Sequence, residues 1–482
     1  MDVRKIMTTD GVRLYDGDTI VPWSLQSALA AMTRYGHVVI WGMGYDTLRD
    51  VVEQMAERLP PSNGRGDGVT TAYNTSTHFY SARVKLGGMT CEILDMGNVF
   101  RDETPSELAD TYGGASVCET LYEAALSLES HGMRGPTISA MAMHEYVGRD
   151  YAGFKQRFPA LSENEYRRMR PAYFGAYVDA VPGEYGRCVS FDVNSLYPYV
   201  LSHMRMPTGR GEWTPGEPDA NDDQCVIRLM TFSAELKPDG LPVLTSAMNV
   251  FGSHGRLPST CGYITMPLTE VDWRLVQDNY DVSVVECEGA WVYETSLGLF
   301  DDYVGTWYAR KRASDGRRRR LAKLMLNSLV GKFGTSVGRP ILRLVPGEHG
   351  LEYRPEHMDA GRALAYLPVA MMVNAYARRI LTDAIHANME RFLYADTDGI
   401  ILRGDAPPNG ITVHPTKIGA WKTDHIYDRL RILGPRRYCG VETDGATVMR
   451  LSGVPAPDEP IPYERFVRGS RHYDGNGNEF VL

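Results

Sequence analysis

The chain lacks the signatures of a zinc site and of a disulfide framework. Its seven cysteines, at positions 91, 118, 188, 225, 261, 287 and 439, form no C-x-x-C pair and no Cys/His set with zinc spacing. An odd, scattered set of this kind reads as reduced, mostly buried thiols in a cytosolic setting. No apolar run approaches the roughly 20 residues of a membrane span. The opening Met1-Asp2-Val3-Arg4-Lys5 leads into no signal-peptide core. Cytoplasmic residence without a membrane partner is therefore expected. Internal repeats and long low-complexity tracts are absent as well, which excludes a repeat array. Positive charge is in short supply: 51 Lys and Arg against 60 Asp and Glu give a formal net charge of −9. That balance argues against a protein that coats DNA uniformly.

What the chain does have is length, ordinary globular composition and local concentrations of charge. With 482 residues, 43% hydrophobic and 23% charged, it is long enough for several domains and a large core. The basic residues cluster in Arg310-Lys311-Arg312 and Arg317-Arg318-Arg319-Arg320, and again at Arg429, Arg431, Arg436 and Arg437. A local positive groove on an acidic body is the nucleic-acid path this predicts. Pro-rich connectors at 211–218 and 455–462 punctuate the chain.

Three segments carry chemistry. Tyr394-Ala395-Asp396-Thr397-Asp398-Gly399 places two carboxylates on a tight turn between apolar runs, the pattern of a hairpin that aims Asp396 outward from a rigid support. Phe191-Asp192-Val193-Asn194-Ser195-Leu196-Tyr197-Pro198 puts another Asp after a short apolar strand, where it can meet Asp396 across adjacent strands. Carboxylates are the natural holders of the two divalent cations, roughly 3.5 to 4 Å apart, that nucleotidyl transfer requires. Either segment alone is better explained by a solvated acidic turn. Between them, Lys323 and Asn327 recur at helical spacing over an apolar stripe of Leu321, Leu324, Met325 and Leu329, so that one helix presents both. A lysine there can hold a triphosphate, and the basic run before it reads as phosphate or primer-template contact.

Read together, these segments resemble the family B DNA polymerases, most closely the protein-primed branch found in phages. Motif A is matched by residues 192–198, motif B by Lys323, Asn327, Ser328 and Gly331, and motif C by Tyr394, Asp396, Thr397 and Asp398. Tyr173-Phe174-Gly175-Ala176 resembles the YxGG element, with Ala176 for the second glycine. Arg436-Arg437-Tyr438 resembles the KxY element, with arginine for lysine. The resemblance implies an α+β right-hand polymerase of palm, fingers and thumb, preceded by a ribonuclease-H-like exonuclease-type domain. It implies Asp192, Asp396 and Asp398 as catalytic residues, with metal held by Asp192, Asp396 and the Val193 carbonyl. Ser195, Leu196, Tyr197, Lys311, Lys323 and Asn327 would bind the nucleotide, Tyr197 excluding a 2′-hydroxyl. Tyr173, Gly175, Arg378, Arg436 and Tyr438 would bind DNA. Two Mg²⁺ ions, replaceable by Mn²⁺, are the implied cofactors. Primer-template DNA, deoxynucleoside triphosphates and a priming terminal protein are the implied partners, in the host cytoplasm if the source is a phage. The rival from another class is a noncatalytic nucleic-acid-binding protein of polymerase shape.

The implied layout is an exonuclease-like region at 1–150, palm at 151–203, a first insertion at 204–298 and fingers at 299–334. A hairpin insertion at 335–366, palm again at 367–455 and a reduced thumb at 456–482 complete it. Val330 stands where motif B usually carries tyrosine, which predicts altered fidelity or nucleotide affinity, and Gly399 stands where motif C usually has serine. The amino-terminal region departs most. Gly42-Met43-Gly44-Tyr45-Asp46 matches one exonuclease segment with only Asp46 retained, no Asp-x-Glu strand precedes it, and residues 117–123 lack the third motif. A catalytically dead editing domain is expected. A noncanonical nuclease site of Asp46, Asp95 and Glu119 is the alternative.

Overall fold

The computed structural model describes residues 4–62, 66–74, 79–100, 103–148, 150–219, 221, 223–245, 256–336, 340–348, 350–357, 365–455, 457, 459–474 and 477–482. They form two compact units, Met1–Lys155 with Thr306–Ala365, and Gln156–Gly305 with Tyr366–Leu482.

The first unit is built on a nine-stranded sheet. Its order is Gly350–His357, Pro340–Gly347, Gly68–Asn74, Phe79–Leu86, Met89–Asp95, His37–Gly42, Lys5–Thr9, Arg13–Tyr15 and Ile20–Pro22. The strand His37–Gly42 pairs in parallel with Lys5–Thr9 on one side and Met89–Asp95 on the other. A parallel centre is covered on both faces, which explains why Val38, Val39, Ile40 and Trp41 are all buried irrespective of alternation. Ser24 caps the helix Leu25–Tyr35 through a reciprocal capping box. That helix and Tyr45–Ala56 bury Ala28, Met32, Leu48, Val52 and Met55 against the strands.

The hairpin expected within 335–366 is present, as the antiparallel pair Pro340–Gly347 and Gly350–His357. It extends this sheet through Leu342 opposite Tyr73, with the Leu344 amide donating to Thr71 Oγ1 at 2.8 Å. Residues 306–365, expected as separate fingers and an insertion between palm segments, thus group with the amino-terminal region. Their helices are Asp301–Ala313 and Gly316–Phe333. The second buries Leu321, Ala322, Met325, Leu326, Leu329, Val330 and Phe333. Leu324 does not belong to the apolar stripe, because the 100° step turns it outward with Lys323 and leaves it 38% exposed.

The second unit holds an antiparallel eight-stranded sheet. Its path runs Thr447–Leu451, Arg437–Glu442, Trp421–Gly434, Cys188–Val193, Gly399–Arg403, Phe392–Asp396 and Val178–Ala180, and Gly183–Tyr185 pairs with Trp421–Gly434. Leu367–His386, a 20-residue helix with 15 buried residues, packs against it and against the helix Leu196–His203. A helix so largely apolar in its contacts is a core element. Within the segment expected as an insertion, 204–298, Met206–Pro215, Tyr280–Ser296, Gln224–Leu236 and Ile264–Thr269 form a four-stranded sheet with the helix Glu270–Asn279 beside it. At the carboxy end, the short strands Arg471–Tyr473 and Glu479–Val481 pair, and Ile461, Tyr463, Phe466, Phe480 and Leu482 pack around Cys439. Sheets and helices are mixed as an α+β fold requires. All seven cysteines are unpaired, and five are buried. No helix of the described residues is long and apolar enough to cross a membrane.

Candidate active site

Strand register in the second unit assembles a single row of opposed residues. Lys422 faces Asp192, Asp192 faces Gly399, Gly399 faces Asp396 and Asp396 faces Val178. Directly opposed residues point to the same face of a sheet, so both carboxylates project from one surface with a glycine between them. A Cβ at Gly399 would sit 3.2 Å from the Phe191 carbonyl oxygen and 3.8 Å from Asp192 Oδ1. The missing side chain therefore keeps the gap between the carboxylates open. Asp192 is the fifth residue of its strand rather than the residue after it, which is what places it in this row.

The turn that carries the second carboxylate is fixed from three sides. The Asp398 amide donates to the Asp396 carbonyl at 2.7 Å, the Val193 amide donates to the Asp398 carbonyl at 2.8 Å, and the Thr397 amide donates to the Tyr177 carbonyl at 3.1 Å. Thr397 Oγ1 donates to Asp396 Oδ1 at 2.8 Å. Beyond Asp192, the buried Asn194 side chain donates to the His414 carbonyl, and its backbone bonds Ala420 and Gly419. Four non-glycine residues among those described have left-handed backbones, and three of them lie here: Ser195 at φ 56°, Thr397 at 62° and Arg436 at 56°. Each costs of order 1–3 kcal/mol and is retained where surrounding structure over-determines it.

Each carboxylate meets a cation. Lys422 Nζ lies 3.0 Å from Asp192 Oδ2 and 2.8 Å from Asp424, and Arg436 Nε lies 3.2 Å from Asp396 Oδ2. Burial works against the Lys422 ammonium, but its bond to Asp424 and the charge of Asp192 hold its pKa above the usual lysine value. Arg436 is anchored by its amide, which donates to the Tyr394 hydroxyl at 3.1 Å. Tyr438 is buried and packs edge-on against Tyr394, with ring centroids 5.0 Å apart, so of the expected DNA-binding pair only Arg436 is presented at the surface.

The helix Leu196–His203 starts at the left-handed Ser195. Leu196 is 1% exposed, so its side chain is core and only its backbone can serve a ligand. Tyr197 is half-buried; burial, then the Asp398 charge, pushes its hydroxyl up to about 12, which keeps it a neutral phenol.

Arg378 does not face DNA. It is 1% exposed and forms a two-pronged ion pair with the buried Asp272, Nε donating to Oδ1 at 2.9 Å and Nη2 to Oδ2 at 2.8 Å. Its remaining nitrogen donates to the Phe174 and Gly175 carbonyls at 2.9 and 2.8 Å, and the guanidinium lies 3.7 Å from the Phe174 ring centroid. Helical spacing placed this arginine on the inner face of Leu367–His386, where a fixed donor fork can satisfy four oxygens at once. It supports the loop that carries Tyr173 and Gly175 rather than touching a ligand. Arg256 joins it, donating to the Val178 and Ala176 carbonyls. Tyr173 is half-buried against Arg170, and Gly175 is exposed.

In the first unit, Lys323 and Asn327 are exposed one turn apart on Gly316–Phe333, as their spacing predicts. Lys311 lies 5.5 Å from the Tyr308 ring centroid. The basic run is partly spent on structure: Arg317 and Arg320 both pair with the nearly buried Glu103, and Arg310 with Glu145. Asp46, Asp95 and Glu119 each bond other groups of the chain. Asp46 is exposed and pairs with Arg49, and Glu119 accepts the Ala115 amide at 2.7 Å. Asp95 is buried, accepting the Gly44 and Gly97 amides at 3.2 and 2.8 Å. The neighbouring strand ends in Thr8 and Thr9, whose hydroxyls bond the Cys118 and Arg13 carbonyls.

Sequence reasoning missed Lys422, Arg256 and the spacing role of Gly399. Strand alternation could have put Lys422 opposite Trp421 in orientation, but its pairing with Asp192 depends on a register set by residues more than 200 positions apart in the chain.

The two carboxylates sit not on adjacent strands, as the sequence implied, but on the strands either side of Gly399–Arg403; with the Tyr173–Gly175 loop and the helix Leu196–His203 of the same unit, the sheet has the arrangement of a right-hand polymerase palm. Comparison with known proteins agrees. Residues 115–342 match the family of DNA polymerases type B, organellar and viral. The DNA polymerases of Bacillus phages Nf and phi29 are 30% and 31% identical over 297 residues, 59% of this chain and 51% of each relative. That of Streptococcus phage Cp-1 is 27% identical over 338 residues, 66% of this chain and 59% of the relative. The chain thus spans about half the length of the first of these relatives. The phi29 DNA polymerase complexed with primer-template DNA and incoming nucleotide shares the fold, with a TM-score of 0.81 over 100% of this chain and 99% of that one at 21% identity. The chain is thus similar in sequence to the type B DNA polymerases over part of its length, and shares the fold of one of them.

Proposed function

We propose that the chain is a template-directed DNA polymerase that adds deoxynucleotides to a 3′ hydroxyl in phage replication, without 3′–5′ proofreading. The observation that carries this reading is the row in which Asp192 and Asp396 flank Gly399 on one face.

The donors there are hard oxygens, and both carboxylates already draw cations from the protein, so the residues present fit divalent metal. Asp192, Asp396 and the Val193 carbonyl would hold two Mg²⁺, or Mn²⁺ in their place. Among the described residues no group of three or more His, Cys, Asp and Glu forms a metal cage. That suits Mg²⁺, which commonly takes one or two carboxylates and completes its shell with water and substrate phosphates. When bound, such ions activate the attacking oxygen and neutralise the leaving pyrophosphate.

The remaining roles belong to the chain itself. Asp398 fixes the carboxylate turn through its backbone. The neutral ring of Tyr197 gates the sugar against a 2′-hydroxyl, and the amides that follow Ser195 face the triphosphate. Lys323 and Lys311 supply positive charge to the triphosphate, and Asn327 shapes the nucleotide pocket. Arg436 meets the primer strand, and the Tyr173–Gly175 loop guides template. Initiation from a hydroxyl of a terminal protein is the start that the resemblance to the protein-primed branch implies. Retention of both carboxylates favours an enzyme over a noncatalytic DNA-binding protein.

The test is extension of a labelled primer on a DNA template with Mg²⁺ and four deoxynucleotides. Wild type should extend and Asp396→Asn should extend about 10²–10³-fold more slowly; an Asp396→Asn protein extending at the normal rate would sink the assignment.

A further inference from the structure

The first unit contains a cavity of about 740 Å³ that no step of polymerisation uses. Arg4 and His37 reach it from the starts of the strands Lys5–Thr9 and His37–Gly42. An editing centre would lie by Thr9, Gly42 and Asp95, at the opposite strand ends, roughly 16 Å away at the rise of an extended chain. The cavity is therefore a separate place in the fold.

Its charges do not balance. Four cations line it, Arg4, Arg83, Arg134 and Lys332. Two carboxylates answer the three arginines: Glu129 pairs with Arg4 at 2.5 Å and with Arg134 at 2.6 Å, and Glu92 pairs with Arg83. The Lys332 side chain has no hydrogen-bond or ion-pair partner among the described residues, and burial lowers its pKa. The His37 Nε2 atom is buried without a partner. His144, also in the lining, is held toward its neutral form by burial and by Arg134 and Arg4. A desolvated ammonium and an unsatisfied ring nitrogen are both costly unless something completes them. The excess is two positive charges, close to the charge of a phosphate monoester at neutral pH.

The rest of the wall is apolar. Pro136, Met143 and Val147 form it, and the half-exposed ring of Tyr151 stands at its rim. Flat rings of this kind stack nucleobases regardless of sequence, and the volume falls within the range of small-molecule sites.

We propose that this cavity is a nucleoside monophosphate site, with Lys332 and Arg134 at the phosphate, His37 as a hydrogen-bond partner and the base along the Pro136, Met143 and Tyr151 wall. A triphosphate would bring more negative charge than the lining offsets. This site does not depend on the polymerase reading.

The test is binding of dAMP to the full chain, by calorimetric titration and by thermal shift, with deoxyadenosine as the ligand lacking phosphate. Wild type and Asp396→Asn should bind dAMP equally, deoxyadenosine should bind about 10-fold more weakly or worse, and Lys332→Met should weaken dAMP by about 10-fold or more. Lys332→Met should also melt no lower than wild type without ligand, because it removes a half-buried charge whose side chain is unpaired among the described residues, and should lose the dAMP-induced rise in melting temperature. Arg134→Ala gives the same readout if Lys332→Met does not fold. Undetectable dAMP binding to wild type, undiminished binding to a folded Lys332→Met, or loss of binding in Asp396→Asn would each overturn the proposal.

Discussion

The sheet of the second unit and the sheet of the first both bring strand ends together in register, yet they present opposite chemistry. In the second, the row Lys422, Asp192, Gly399, Asp396 and Val178 sets two carboxylates on one face with a gap between them. In the first, the comparable parallel strands end in Thr8 opposite Trp41, with Gly42 opposite Asp95. There the hydroxyls bond backbone carbonyls, and the one carboxylate accepts two backbone amides. The difference teaches that a sheet's geometry does not depend on the chemistry at its strand ends. Core burial holds the strands in register through Val38, Ile40 and Ile93, and none of those residues depends on what the strand ends carry.

The largest expected effect strikes the support of the palm row. Arg378→Ala leaves Asp272 buried without its partner, and should cost about 3–5 kcal/mol in denaturant unfolding. Arg378→Met combined with Asp272→Leu should recover most of that loss. An unchanged unfolding midpoint in the single variant would show that the ion pair does not hold the Tyr173–Gly175 loop.

Removing charge from the row itself should separate catalysis from folding. Asp192→Asn and Asp396→Asn should each lower the primer-extension rate by about 10²–10³-fold, the scale for losing one preorganised electrostatic group, with little change in melting temperature. If only one of them mattered, the symmetric reading of the row would fail.

A smaller effect is expected from Lys422, which competes with any cation for Asp192. Lys422→Ala should lower the Mg²⁺ concentration for half-maximal extension by about two- to fivefold, in keeping with a partly exposed ion pair. A higher requirement would mean that the lysine orients Asp192 instead.

The smallest effect belongs to the other sheet. Burial raises the Asp95 pKa above 3.8, against the hydrogen bonds from the Gly97 and Gly44 amides. A carboxyl raised in the folded state binds protons more readily there than in the unfolded chain, so its contribution to stability is full below 3.8 and is lost as pH rises through the folded value. Asp95→Asn, which keeps an acceptor oxygen and removes the charge, should melt at or slightly above wild type near pH 7, and the difference should close toward about pH 4. A clear drop in melting temperature at neutral pH would contradict this.

Much of the site was legible because its determinants are local. Asp396, Thr397 and Asp398 lie on one turn, Asp192 to Tyr197 run from strand into helix, and Lys323 and Asn327 share a helix face one turn apart. The hairpin at 340–357 lies where the family resemblance put one, although its own sequence carries no diagnostic pattern. What could not be read depends on contacts distant in sequence. Arg378 looks like any helix arginine until Asp272 is placed 106 residues away against it. Leu324 fits an apolar stripe by residue type and faces solvent by helical angle. Arg317 and Arg320 look available to DNA until Glu103 gathers them.

The contrast between the sheets reduces to one experiment on a labelled primer annealed to a DNA template with Mg²⁺. With deoxynucleotides the account predicts extension that Asp396→Asn slows by about 10²–10³-fold, and without them it predicts a primer that stays full length. Shortening of the primer in the absence of nucleotides, or no extension by wild type in their presence, would contradict it.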